Sequence, residues 1–168
     1  MNIDVAIMMG SKSDLETMRP AAKVLQGLGL QVAVRVLSAH RTPAETAAFV
    51  RDAAAGGCKV FICAAGGAAH LAGAVAAHTT RPVIGVPIAG GSLGGLDALL
   101  STVMMPPGMP VATVAVGGAE NAGLLAAQII AVGDADLARK VEGERDARRK
   151  KVLEADGEVR GQFGAERP

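Results

Sequence analysis

Residues 32–45 read VAVRVLSAHRTPAE. The apolar run from Val32 to Leu37 fits a buried strand, Ser38 to Arg41 make a short polar turn, and Thr42-Pro43-Ala44-Glu45 open a helix. Proline is at no disadvantage at the first helical position, where its missing N–H would be unpaired anyway, and Thr42 and Glu45 have the spacing of a capping box. His40, a proton carrier, and Arg41, a fixed cation, therefore stand at the carboxyl end of a strand, where open α/β sheets hold their ligands. Alone, the pair is equally compatible with a histidine satisfying a local backbone group and a solvated arginine. The loops around it decide between these readings.

The same rhythm repeats along the chain. Strand-like runs at 3–9, 31–37, 59–65, 82–87 and 110–116 alternate with helical stretches at 13–27, 43–56, after His70, near 95–102 and at 119–132. Leu15, Met18, Ala22 and Leu25 recur at steps of three and four and line one helix face, which ends at Gly27 and Gly29. The strands are nearly continuous in Val, Ile and Ala rather than alternating, as expected where helices cover both faces of a sheet. This pattern predicts a doubly wound, flavodoxin-like parallel sheet of about five strands, although it does not reveal the strand order. Composition changes near Gly133: of the 33 acidic and basic residues, 18 lie in the last 35 positions, nine of each sign. The chain thus divides into a catalytic core, 1–133, and a charged C-terminal helix and tail, 134–168. A charged helix is predicted from Asp134 to about Ala155, with disorder past Gly157. Its apolar stripe (Leu137, Val141, Val152, Leu153) is too thin to form a core alone and points to packing on a neighbouring subunit.

Composition excludes several classes of function. At 168 residues the chain has the size of one domain, and no apolar run approaches the roughly 20 residues of a membrane span. No basic leader or cleavage-type motif precedes Ile3, so the expected location is cytoplasmic. A net charge of +1 and three Phe without Trp or Tyr provide neither the electrostatic footprint nor the stacking platform of a nucleic-acid binder. Cys58 and Cys63 flank the extended segment Lys59 to Ile62 and are too far apart along it for a disulfide, so both read as buried thiols. With no further ligands at metal spacing, no metal site is expected. His78, among alanines and a threonine, reads as structural or solvated.

Two further strand-end loops carry polar or small residues. Gly10-Ser11-Lys12-Ser13-Asp14 opens the first helix, with Ser13 and Glu16 at capping-box spacing. Its N–H groups and hydroxyls suit a phosphate and Asp14 suits a ribose hydroxyl, yet the same residues also serve simply as helix caps. It is not a Walker loop, since no second glycine precedes a Lys-Ser or Lys-Thr pair. In the third loop Gly66, Gly67 and Ala68 allow close backbone contact with a flat ring, and Leu71 follows His70. His70 has three open roles: closing the loop, donating to a ligand, or capping the next helix. Together the loops describe a site the size of a nucleoside monophosphate, lacking a poised nucleophile, a second catalytic carboxylate and a dinucleotide fingerprint. Proton transfer and positioning remain.

Met9-Gly10-Ser11-Lys12-Ser13-Asp14, Ser38-Ala39-His40-Arg41-Thr42-Pro43, the loop from Ala65 to Leu71, Pro82-Val83-Ile84-Gly85-Val86-Pro87, Gly95 to Ser101 and Asn121 to Gln128 together resemble the class I family of 5-(carboxyamino)imidazole ribonucleotide mutases of bacterial de novo purine synthesis. The resemblance runs nearly end to end, with Ala72 in place of the family's usual proline and Met104 in place of its glutamine. It implies a cofactor-free isomerase that moves a carboxylate from an exocyclic nitrogen to a ring carbon, and an octamer with shared active sites. It places Ser11, Ser13 and Arg41 at the phosphate, Asp14 at the ribose, His40 beside the migrating carboxylate, and Gly66, Gly67, Ala68, His70 and Leu71 over the base. Ser38 joins them as a substrate-binding candidate. The nearest competitor is the direct carboxylase on the same fold, against which Arg41 and His70 speak. A non-catalytic nucleotide-binding module leaves His40 idle, and a flavin-binding electron carrier rests on the fold rhythm alone.

Overall fold

The computed structural model describes residues 3–164. The strands are β1 (Val5–Met9), β2 (Val32–Val36), β3 (Val60–Gly66), β4 (Val83–Ile88) and β5 (Ala112–Thr113). The helices are α1 (Leu15–Gly27), α2 (Pro43–Ala55), α3 (Leu71–Ala76), α4 (Leu96–Val103), α5 (Ala119–Ala131) and α6 (Ala135–Phe163). The sheet is entirely parallel in the order β2-β1-β3-β4-β5, which is the flavodoxin-like arrangement.

Both faces of the sheet are covered over β1, β3 and β4, which explains their unbroken apolar runs. The expectation that β2 is buried is corrected: it is an edge strand, and Val34 and Val36 are exposed. All five residues of β1 are buried. Val5, Ile7 and Met9 pack against α1 and α5 through Met18, Ala21, Leu25, Ala122 and Ala126. Ala6 and Met8 turn to the opposite face, where Phe49, Val50 and Ala53 of α2 and Leu71 and Val75 of α3 cover them. Cys58 and Cys63 lie in this second layer as free thiols. Burial pushes the Cys63 thiol far up, and for Cys58 it outweighs hydrogen bonds that favour the thiolate, so neither is a ready nucleophile.

Two further elements differ from the sequence reading. The strand expected over 110–116 contracts to Ala112–Thr113. It pairs with β4 alone, and it lies between Pro110, which has no N–H to donate, and Gly117 at φ 70°. At the other end α6 continues past Gly157 to Phe163, which corrects the expectation of disorder from that point; the part of that expectation that falls on 165–168 lies outside the described residues. Asp134 caps this helix by accepting from the N–H groups of Asp136 and Leu137. Its first half packs on its own subunit: Leu137 is buried, Lys140 Nζ donates to the Leu28 carbonyl (3.2 Å), and Arg148 pairs with Glu120 (2.8 Å).

One glycine sets the spacing of a helix pair. A Cβ on Gly123 would lie 2.9 Å from the Ala21 carbonyl oxygen and 3.1 Å from its Cα, so α5 meets α1 backbone to backbone. Gly123→Ala should lower stability by about 1–3 kcal/mol, the usual range for overpacking. Gly133→Ala, which points into open space, should change it little. Urea midpoints of the two variants check this, and equal midpoints would mean that the helix pair simply moves apart.

Candidate active site

The strand order places the site. From β1 the chain passes to β2 on one side, and from β2 it crosses to β3 on the other, so the loops after β1, β2 and β3 face one crevice at the carboxyl edge. A cavity of about 350 Å³ opens there, lined by Ser11, Ser38, His40, Arg41, Gly66 and Leu71 among others. A second, of about 310 Å³, shares Gly10, Ser11, Ser38 and Arg41 with it and adds Lys12 and Thr42.

The Ser38 to Arg41 turn is held from below. The Ser38 N–H donates to Thr42 Oγ1 (2.8 Å), and the Ser38 carbonyl accepts from the Thr42 N–H (3.0 Å) and the hydroxyls of Thr42 and Thr46 (3.2 and 3.3 Å). Ser38 Oγ in turn accepts from the Arg41 N–H at 3.2 Å. The Arg41 guanidinium reaches across to donate through Nη2 to the Gly10 carbonyl, which ties the second loop to the first. Thr46, buried one helical turn below Thr42, was not singled out in the sequence; the only hint was its i,i+4 spacing from Thr42.

In the first loop Ser11 caps a short 3₁₀ turn (Lys12–Asp14) by accepting from the Ser13 N–H at 3.3 Å. Ser13 Oγ donates within reach of both Ser11 Oγ (2.8 Å) and Asp14 Oδ1 (3.0 Å), and Asp14 is almost buried. Neither expected capping box forms. The Thr42 hydroxyl is engaged with Ser38, and Glu16 pairs with Arg19 (2.6 Å). The serines and Asp14 thus form one hydroxyl–carboxylate chain rather than a set of independent caps.

The third loop is held more lightly. Gly67 has φ 59°, a conformation that favours glycine, and its carbonyl accepts from Ser101 Oγ at 3.4 Å. His70 precedes α3 but makes no side-chain cap bond. Instead its Nδ1 lies 2.8 Å from Nε2 of His40, with the rings edge to face at 78°. One ring must donate and the other accept, so the contact exists only when the pair holds at least one bare nitrogen. Of the predicted residues, Ser11, Ser38, His40, Arg41, Gly66 and Leu71 line the main cavity. Ser13 and Asp14 join through Ser11, His70 joins through His40, and Gly67 and Ala68 lie outside the lining. Lys12, a second cation, was quoted in the motif but given no role. Among the described residues, no group of three or more His, Cys, Asp or Glu is placed to hold a metal, and no helix is long and apolar enough to cross a membrane.

Comparison with known proteins identifies the family. The family model for AIR carboxylase matches residues 4–151. An N5-carboxyaminoimidazole ribonucleotide mutase of Brucella melitensis is 51% identical over 156 residues, covering 92% of this chain and 96% of the relative. The Bacillus subtilis protein of the same name is 50% identical, covering 92% of this chain and 97% of the relative. The Escherichia coli one is 49% identical, with 89% and 90% covered. Among solved structures, Treponema denticola PurE superposes with a TM-score of 0.84 at 31% identity, covering 92% of this chain and 97% of that one.

Proposed function

The chain belongs to the AIR carboxylase family, and from that premise we propose that it is an isomerase of purine biosynthesis, converting N5-carboxyaminoimidazole ribonucleotide to 4-carboxy-5-aminoimidazole ribonucleotide. The observation that carries the reading is His40, a proton carrier on a hydrogen-bonded strand-end turn that lines a cavity together with serine hydroxyls and Arg41. In this reading the phosphate lies against Ser11, Ser13 and Arg41, with Lys12 adding a cation in the adjoining cavity. The ribose lies by Asp14, one of whose oxygens is near Ser13 while the carboxylate retains lone pairs for a hydroxyl. Ser38 positions Arg41, and the Gly66 to Leu71 loop covers the base.

The chemistry then needs no redox partner. Protonation of the exocyclic nitrogen by His40 lets the N–CO₂ bond break, its electron pair returning to nitrogen and carbon dioxide departing. The electron-rich ring carbon attacks the retained carbon dioxide, and His40 removes the proton from that carbon to restore the aromatic ring. The proton that was given is recovered. Before substrate binds, the proton-bearing Nε2 of His40 has Nδ1 of His70 as its acceptor, and a substrate atom takes that place at Nε2. The cytoplasmic location expected above follows from this metabolic role rather than from any feature of the fold.

An octamer with shared sites completes the reading. It is supported by the exposed apolar stripe on α4 (Leu96, Leu100, Val103), which adjoins the third loop through Ser101, and by the outer half of α6, which its own subunit leaves uncovered.

Three outcomes test these assignments. His40→Asn should lower turnover by about two to four orders of magnitude, the range of general acid–base catalysis, with little change in KM. Near-normal turnover would remove His40 from the mechanism. Arg41→Ala should weaken substrate binding by about one to two orders of magnitude, as expected for losing a charge-assisted phosphate contact, and lysine should restore only part of it. Equal loss for a dephosphorylated substrate would show that Arg41 does not serve the phosphate. A chain ending at Lys151 keeps the Lys140 and Arg148 contacts of α6 with its own subunit, yet should show a smaller mass by light scattering and lower activity. A shortened chain that is monomeric and fully active would establish that each subunit owns a complete site.

A further inference from the structure

A cavity of about 1020 Å³ lies at the opposite end of the sheet from the active site. It is enclosed by the end of α2, the segment between α3 and β4, and the approach to β5. Its floor is apolar, including Met109, and its rim carries Arg51, His78, Thr79, Thr80 and Arg81. Among the described residues neither arginine makes an ion pair. Two unpaired guanidinium groups over an apolar floor suit an occupant with an apolar surface and carboxylates.

The chain itself carries such an element. Beyond the Arg148–Glu120 contact α6 runs on for 15 residues, roughly 22 Å at about 1.5 Å per residue. Val152, Leu153, Val159 and Phe163 are exposed along it, Phe163 at 81%. Residues 152–163 also hold Glu154, Asp156 and Glu158 against the single cation Arg160. A straight helix that has left its own subunit does not fold back to it, so its tip is available to another copy. We propose that the tip of α6 from one subunit docks in the Arg51–Arg81 cavity of a second, with its apolar stripe on the floor and its carboxylates at the two arginines.

The competing surface on the same chain is the α4 stripe, and charge separates the two. No Lys or Arg occurs between Arg81 and Arg139, and α4 itself carries Asp97, so an acidic helix end finds no counter-charge there. The cavity offers two. The contact joins two different surfaces, tip to cavity, and a contact of that kind builds a closed ring when the rotation between copies closes, in keeping with the assembly reading on which this inference rests.

Cross-linking tests it directly, because the native Cys58 and Cys63 are at most 2% exposed and stay silent. Under mild oxidation, full-length chains bearing Phe163→Cys with either Thr80→Cys or Met109→Cys should form inter-subunit disulfides that run as a ladder on a non-reducing gel. None of the single variants should do so. In parallel, Arg51→Glu with Arg81→Glu should raise the subunit dissociation constant about tenfold or more by light scattering over a dilution series, and adding Glu154→Lys with Glu158→Lys should reverse the effect. A dimer from Phe163→Cys alone would show that tips meet each other and would overturn the proposal. So would an assembled protein with neither cross-link nor charge effect, which leaves the assembly reading intact. A wild-type chain that is monomeric at every concentration would remove both.

Discussion

Everything in this molecule depends on β1 being an interior strand of a parallel sheet. Parallel strands require a crossover to return the chain to the same edge, and crossovers in such sheets are right-handed. With β1 between β2 and β3, the connections through α1 and α2 must lie on opposite faces. The loops that begin them part above β1 and leave a crevice that no packing rule fills. Gly10, Ser38 to Arg41 and Gly66 to His70 meet there because of strand order, before any chemistry is considered. Complete burial of β1 and the close approach of α1 to α5 at Gly123 keep that edge rigid.

The rest of the scaffold shows what three phenylalanines and an abundance of Ala and Gly allow. Buried Ala119, Ala122, Ala126 and Ala127 let α5 approach the sheet closely, and Gly85 lets Thr102 of α4 come up against β4. Small side chains make thin walls. Leu96, Leu100 and Val103 of α4 and Met104 just after it are left exposed, and a contiguous apolar stripe of this kind marks a surface of interaction. The third loop leans on that same helix through Ser101 and Gly67, so whatever covers α4 also bears on the site.

The parallel architecture was legible because strands covered on both faces are apolar throughout, and their loops were legible because glycine, serine and histidine cluster at strand ends. Strand order was not legible, since it depends on which crossovers pack rather than on any one segment. The capping boxes misled for a definable reason: the spacing of Thr42 and Glu45 is correct, but the Thr42 hydroxyl is drawn instead to Ser38, and Glu16 to Arg19. The His40–His70 contact joins residues 30 positions apart, so only the β1–β3 pairing that aligns their loops reveals it. The continuation of α6 to Phe163 was missed because its apolar positions are too sparse to signal a helix in isolation. Its order in the structure rests on a strong cap at Asp134 and on polar pairs such as Asp156–Arg160 at 3.7 Å.

The two halves of the crevice differ in stiffness, and the difference matches the proposed reaction. The Ser38 turn is fixed by four hydrogen bonds between Ser38 and the pair Thr42 and Thr46, and Arg41 is already oriented by Ser38 and Gly10. A cation held in place before binding loses little freedom when a phosphate arrives, which makes this half an anchor. The Gly66 to His70 loop, by contrast, is built of small residues that close on themselves through backbone bonds, and its side-chain ties to the rest of the molecule are one long bond and one imidazole contact. During a carboxylate shift the phosphate and ribose do not change, while the base alters its charge and one bond. A rigid grip on the unchanging end and a lightly held loop over the reacting end allow the proton carrier to keep its position while its surroundings adjust, which is what two proton transfers through one His40 require.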